Sequence, residues 1–155
     1  ADDPDPAVAA KAWWALGRIA DVRGLPALLS HLGDPDPDKR RELTAALEQF
    51  GEPAVPALAE RLLDRTNPVE TRRHIAEVLV AIDDPAARGA ADALAQAVEH
   101  DDKEVAVVAI TALAQLDVPQ VDEVLDRLRR ESDGWLAIMA DWFLSDRAEA
   151  TERGR

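Results

Sequence analysis

Cysteine and tyrosine are absent from this 155-residue chain. Without a thiol there can be no disulfide scaffold, thiolate metal site, cysteine nucleophile or thioether anchor for a cofactor. Aromatic residues make up only 4%, so most of any core must be aliphatic. No apolar run approaches the ~20 residues of a membrane-spanning helix. The opening ADDPDP lacks the basic start and apolar stretch of a signal peptide. Positive charge is scarce: 18 Lys+Arg stand against 31 Asp+Glu, a net charge of −13. Such a field repels phosphate backbones and argues against a nucleic-acid partner. Lysine occurs only at Lys11, Lys39 and Lys103, a composition that bears on habitat and solubility rather than activity.

Catalytic signatures are missing too. Ser30, Ser132 and Ser145 lie at expected helix ends with no Gly-x-Ser-x-Gly elbow. Glycines fall singly at turns, which excludes a Gly-rich phosphate loop. With 31 carboxylates on helices, carboxylate pairs carry no information. His31 and His100 fall at helix ends, where a histidine complements the helix dipole. We expect no catalytic residue, no metal and no cofactor.

What the chain does contain is a repeat. Breaks rich in Asp, Pro and Gly recur at 3–6, 33–38, 64–68, 100–104 and 131–135, each before an Ala- and Leu-rich stretch. Those stretches end in similar phrases: AWWALGRIAD, LTAALEQFGE, IAEVLVAIDD, AITALAQLD and ADWFLSD. Aligning them places Leu16, Leu47, Leu79, Leu113 and Leu144 in register, with spacings of 31, 32, 34 and 31. Alternating β-branched runs with hairpin turns are lacking, so strands are not expected.

Each unit reads as helix, turn, helix. In the second, Asp36 or Asp38 can cap the first helix, with Pro37 tolerated in its first turn. Leu43, Ala46, Leu47 and Phe50 follow the i, i+3, i+4, i+7 rule. Gly51 closes that helix, and Val55, Leu58, Leu62 and Leu63 drive the next. The first unit repeats this with Val8, Ala12, Ala15, Leu16 and Ile19, then Leu25, Leu28, Leu29 and Leu32. In the fourth unit the second helix carries Val121, Val124, Leu125 and Leu128. One such pair cannot bury its own apolar face, whereas stacked pairs share a continuous core. The expected fold is therefore an all-α, right-handed solenoid of about five helical hairpins, with five helices in one layer and four in the other. Residues 1–155 form a single domain with units at about 3–32, 33–63, 64–100, 101–131 and 132–147, and a frayed tail at 148–155. The start on Ala1 rather than methionine reads as a processed start or a piece of a longer array.

DPAVAAKAWWALGRIAD (5–21) carries Val8, Ala15, Leu16 and Gly17, KRRELTAALEQFGE carries Arg40, Ala46 and Leu47, and DGWLAIMADWFLS carries Asp133, Ala140 and Leu144. On these residues the chain resembles the bacterial and archaeal HEAT-like repeats of the phycocyanobilin lyase type. The resemblance implies that the phrase-bearing helix lines a concave face. Its outward positions would be Ala10, Lys11, Trp14 and Arg18; Arg41, Glu42, Ala45 and Gln49; Arg73, His74, Glu77 and Ala81; Val107, Val108, Thr111 and Gln115; and Ile138, Met139, Trp142 and Asp146. Trp135, at the entry of the last helix, joins them. Such a groove would be cationic in its middle and apolar toward the last units. Trp13 is expected in the core, and Arg40 and Arg72 are expected to brace neighbouring repeats.

The resemblance is specific for fold and nearly silent on activity. A di-iron hydroxylase of HEAT-like build needs His-Glu pairs, but the pairs here are His31-Leu32, His74-Ile75 and His100-Asp101. A DNA glycosylase of this build needs a basic groove, which −13 opposes. The reading is a cytoplasmic, monomeric, non-catalytic scaffold that binds a protein or peptide. Alternatives are a bilin lyase or isomerase subunit and an engineered repeat binder.

Overall fold

The computed structural model describes residues 5–19 and 21–154. Nine α-helices are found among them: α1 Pro6–Ile19, α2 Leu25–Leu29, α3 Pro37–Phe50, α4 Val55–Leu63, α5 Val69–Ile82, α6 Ala91–His100, α7 Lys103–Gln115, α8 Pro119–Glu131 and α9 Trp135–Arg153. Short 3-10 turns at Val22–Gly24, Glu52–Ala54 and Ala86–Ala90 lead into α2, α4 and α6. The described residues contain no strand.

Local chemistry sets the helix boundaries. The Asp36 carboxylate accepts the Asp38 N–H at 2.9 Å, with Pro37 at the first helical position of α3. Gly51, at φ 66°, ends α3 in a conformation that disfavours other residues, and its N–H reaches the Leu47 carbonyl at 3.0 Å.

Helices α1, α3, α5 and α7 pack side by side in order, while α4 packs on α6; α9 lies along α8 and touches α7. The core runs between these layers as an all-α solenoid. Leu47, Leu79 and Leu113 are buried, whereas Leu16 and Leu144 in the end helices are half-buried. Leu25, Leu28, Leu29 and Leu32 are buried in the same core, and Val121, Val124, Leu125 and Leu128 form the inner stripe of α8.

Three expectations fail. First, α1 does not bury Val8 and Ile19, which are 46% and 70% exposed; it buries Ala9, Trp13 and Gly17 instead. The Trp13 indole sinks to 1% exposure while that of Trp14 stays 55% exposed, so the Trp13 face of the helix is the inward one. Gly17 permits the turn: a Cβ there would meet the Ala46 carbonyl oxygen at 2.6 Å. Second, Leu63 is exposed at 40% beside the buried Leu62. Third, α9 does not fray near 146 but stays helical to Arg153. Arg147 anchors that stretch by donating to the carbonyls of Ala114 (2.7 Å) and Leu116 (3.0 Å) at the end of α7, and to Asp122 (2.7 Å).

Candidate functional site

Trp14 follows the buried Trp13 by about 100° of helical rotation, which turns it outward. It is 55% exposed, and the Arg18 guanidinium sits 5.1 Å from its ring centroid, one helical turn along. Between α1 and α3 lies a hollow of about 270 Å³ lined by Ala10, Lys11, Trp14, Glu42, Ala45 and Ala46. Small alanines on both helices open this space, and the indole forms one wall. A second hollow of about 310 Å³ is lined by Pro37, Arg40, Arg41, Thr44 and Glu77, and a third of about 90 Å³ by Arg40, Glu70, Arg73, His74 and Glu77. Arg40 and Glu77 belong to both, so the outward positions of α3 and α5 share one surface.

The cationic middle expected from the sequence is largely neutralised. Arg41 pairs with Asp38 one turn away, and Arg73 donates to Glu77 at 3.1 Å. The cations standing against an apolar wall are instead Lys11 and Arg18 on α1.

His74 is a correction. Expected on the surface, it is 1% exposed; its Nδ1 accepts the Gly33 N–H at 3.0 Å, and its Nε2 lies 2.9 Å from Thr44 Oγ1. Burial holds the imidazole below its ordinary value of 6.5; Glu77, the Arg40 backbone carbonyl and Asp34 oppose this and the Arg40 charge assists it.

None of these three hollows includes the expected positions on α7 and α9. Val107, Val108 and Thr111 are half-buried, with Val108 packed on the core and the Thr111 hydroxyl donating to the Val107 carbonyl at 3.1 Å. Met139 is half-buried and also packs on the core. Ile138 and Trp142 stay 70% and 60% exposed, and the Trp142 ring meets Phe143 edge-on at 4.8 Å between centroids. Trp135 is half-buried with the Lys103 ammonium 5.4 Å from its ring centroid.

Sequence reasoning missed Pro37, Thr44 and Glu70 as lining residues, and treated Arg40 as structural only. Glu70 precedes Arg73 by three residues on one helix, a spacing that marks a shared face. Arg40 does brace the turn before α3, donating to the carbonyls of Asp34 (2.7 Å) and Pro35 (3.1 Å), yet its remaining edge lines two hollows. Among the described residues no group of three or more His, Asp or Glu is placed to hold a metal ion, and no helix is long and apolar enough to cross a membrane.

Residues 1–70 match a family model described as HEAT repeats. A comparison with curated proteins returns no match.

Proposed function

We propose that this chain, whose residues 1–70 match HEAT repeats, acts as a non-catalytic protein–protein interaction module whose α1–α3–α5 surface docks a segment of a partner protein or peptide. The observation that carries this reading is Trp14: a large apolar ring left 55% exposed, capped by Arg18 and walling a hollow beside Lys11. Indole and guanidinium groups that combine apolar area with fixed charge are the usual energetic centres of interfaces. The hollow suits one bulky aliphatic side chain, and Lys11 and Arg18 suit acidic residues next to it. A net charge of −13 favours a protein over a nucleic acid as partner. The α9 patch of Ile138 and Trp142 supplies a second contact area. A monomer in the cytoplasm completes the proposal.

Panning a displayed random-peptide library against the chain tests it. Enriched peptides should carry an aliphatic residue flanked by Asp or Glu. Trp14→Ala should weaken them by more than ~1 kcal/mol, the loss expected of a hot spot. Trp142→Ala should cost a similar amount for partners long enough to reach α9. Peptides that bind a folded Trp14→Ala variant with unchanged affinity would remove this surface from the proposal.

A further inference from the structure

His74 lines the smallest hollow of the α3–α5 surface, and it stands where three elements meet. From α5 its Nδ1 accepts the backbone N–H of Gly33, 41 residues away in the turn between α2 and α3, at 3.0 Å. Its Nε2 faces Thr44 Oγ1 on α3 at 2.9 Å. The Thr44 hydroxyl has a single proton and donates it to the Arg40 carbonyl at 2.8 Å, so its lone pair accepts from Nε2–H. These contacts define a neutral imidazole with its proton on Nε2. A second proton has only Nδ1 to occupy, and there it would confront the Gly33 N–H, donor against donor.

The turn has little room to adjust in place. Gly33 sits at φ 78°, and a Cβ there would collide with Thr71 Oγ1 and meet Thr71 Cα at 2.9 Å, so backbone and α5 are in close approach. Removing the donor clash means moving the turn away from α5. The charged groups around the ring are Glu70, Arg73 and Glu77 on its own helix, Arg40 on α3 and Asp34 in the turn. His31 lies two residues before Gly33 in the same turn.

We propose that His74 is an acid-sensitive latch: as a neutral imidazole it holds the Gly33 turn and α3 against α5, and as an imidazolium it releases the Gly33 amide. Burial and the Arg40 charge oppose the imidazolium, while Glu77, the Arg40 backbone carbonyl and Asp34 favour it, and burial prevails. The sign follows. Because the folded state resists the second proton, closure is fully favoured above 6.5 and is lost as pH falls below it.

Hydrogen exchange of the Gly33 amide in the native chain, corrected for the intrinsic rate at each pH, reads the latch directly. Protection should hold from about pH 7.5 to about 6.5 and then fall toward about pH 5 by up to about tenfold per pH unit, the slope of a single linked proton. His74→Asn places Oδ1 near the position of Nδ1 and keeps the acceptor without titrating, so Gly33 protection in that variant should be flat. An equal fall in His74→Asn would assign the effect to His31 or Asp34 and overturn the latch. Ring 15N shifts of the unaltered chain need no variant: the neutral form should carry its proton on Nε2, and imidazolium should appear in step with the loss of Gly33 protection. A proton on Nδ1, an imidazolium that leaves Gly33 protected, or protection unchanged down to pH 5 would each refute it.

Discussion

The Arg72 guanidinium is buried at 5% side-chain exposure and meets Asp101 at 2.8 Å, Asp102 at 3.0 Å and the Asn67 carbonyl. Burial pushes the Asp101 carboxyl up. The Arg72 hydrogen bond, the Asp102 N–H and the charges of Arg72 and Arg65 outweigh it and leave the group below 3.8. Arg73, one residue on, is half-exposed and pairs with Glu77 on its own helix. Arg72→Ala would leave Asp101, at 3% side-chain exposure, with the Asp102 N–H and a longer contact of 3.5 Å to Arg65 in place of its main partner. We expect a loss of about 3–5 kcal/mol in urea unfolding, the range for breaking a buried pair. Arg73→Ala should stay within about 0.5 kcal/mol, as exposed pairs do; equal losses would contradict this account. The bracing role of Arg72 was legible because, like Arg40, it falls on the position where the resemblance to HEAT-like repeats implies a bracing Arg. Its partner Asp101 was not, since it lies 29 residues away and only stacking brings it near. The split between Trp13 and Trp14 was also legible, because helical rotation alone separates adjacent side chains by about 100°.

At the scale of elements, sequence reading found each helix but misjudged the rotation of α1 and the length of α9. The α1 stripe Val8, Ala12, Ala15, Leu16 and Ile19 obeys helical spacing as well as the observed one does, and a pattern cannot say which of two overlapping faces meets a neighbour. Contact with α3 decides it through Gly17. Gly17→Ala separates the two levels: intrinsic propensity would favour alanine by about 1 kcal/mol, whereas a Cβ would meet the Ala46 carbonyl oxygen at 2.6 Å. We expect the clash to win and the melting temperature to fall; a rise would mean that α1 can shift on α3 without loss. For α9, residues 147–153 show no apolar stripe, so no signal favoured a helix there. Arg147 supplies the missing reason through the α7 carbonyls. Arg147→Ala should therefore reduce amide protection in the last two turns of α9 more than in α7.

For the whole molecule, acid acts twice in the same direction. Asp21, Asp64, Asp84, Asp101 and Asp126 all have carboxyls held below 3.8 in the fold, chiefly by hydrogen bonds from Arg23, Thr66, Arg88, Arg72 and Arg129. Groups lowered on folding stabilise above their unfolded value and lose that contribution as pH falls through the folded one. The carboxylate loss thus lies below 3.8, and that of His74 begins at 6.5. Urea midpoints measured against pH should decline in two stages, and His74→Asn should abolish the upper one alone. A single stage near the carboxylate range in the unaltered chain would contradict the assignment. By itself, the sequence determined the helical class, the alternation of helices in two layers and most of the leucine core, because i, i+3, i+4 stripes and a 31-to-34-residue period are local regularities. The inward place of His74, the pairing of Arg41 and Arg73, the face of α1 and the extent of α9 were decided only in three dimensions. Each depends on which groups neighbouring helices bring within a few ångströms, and spacing along a chain does not encode that.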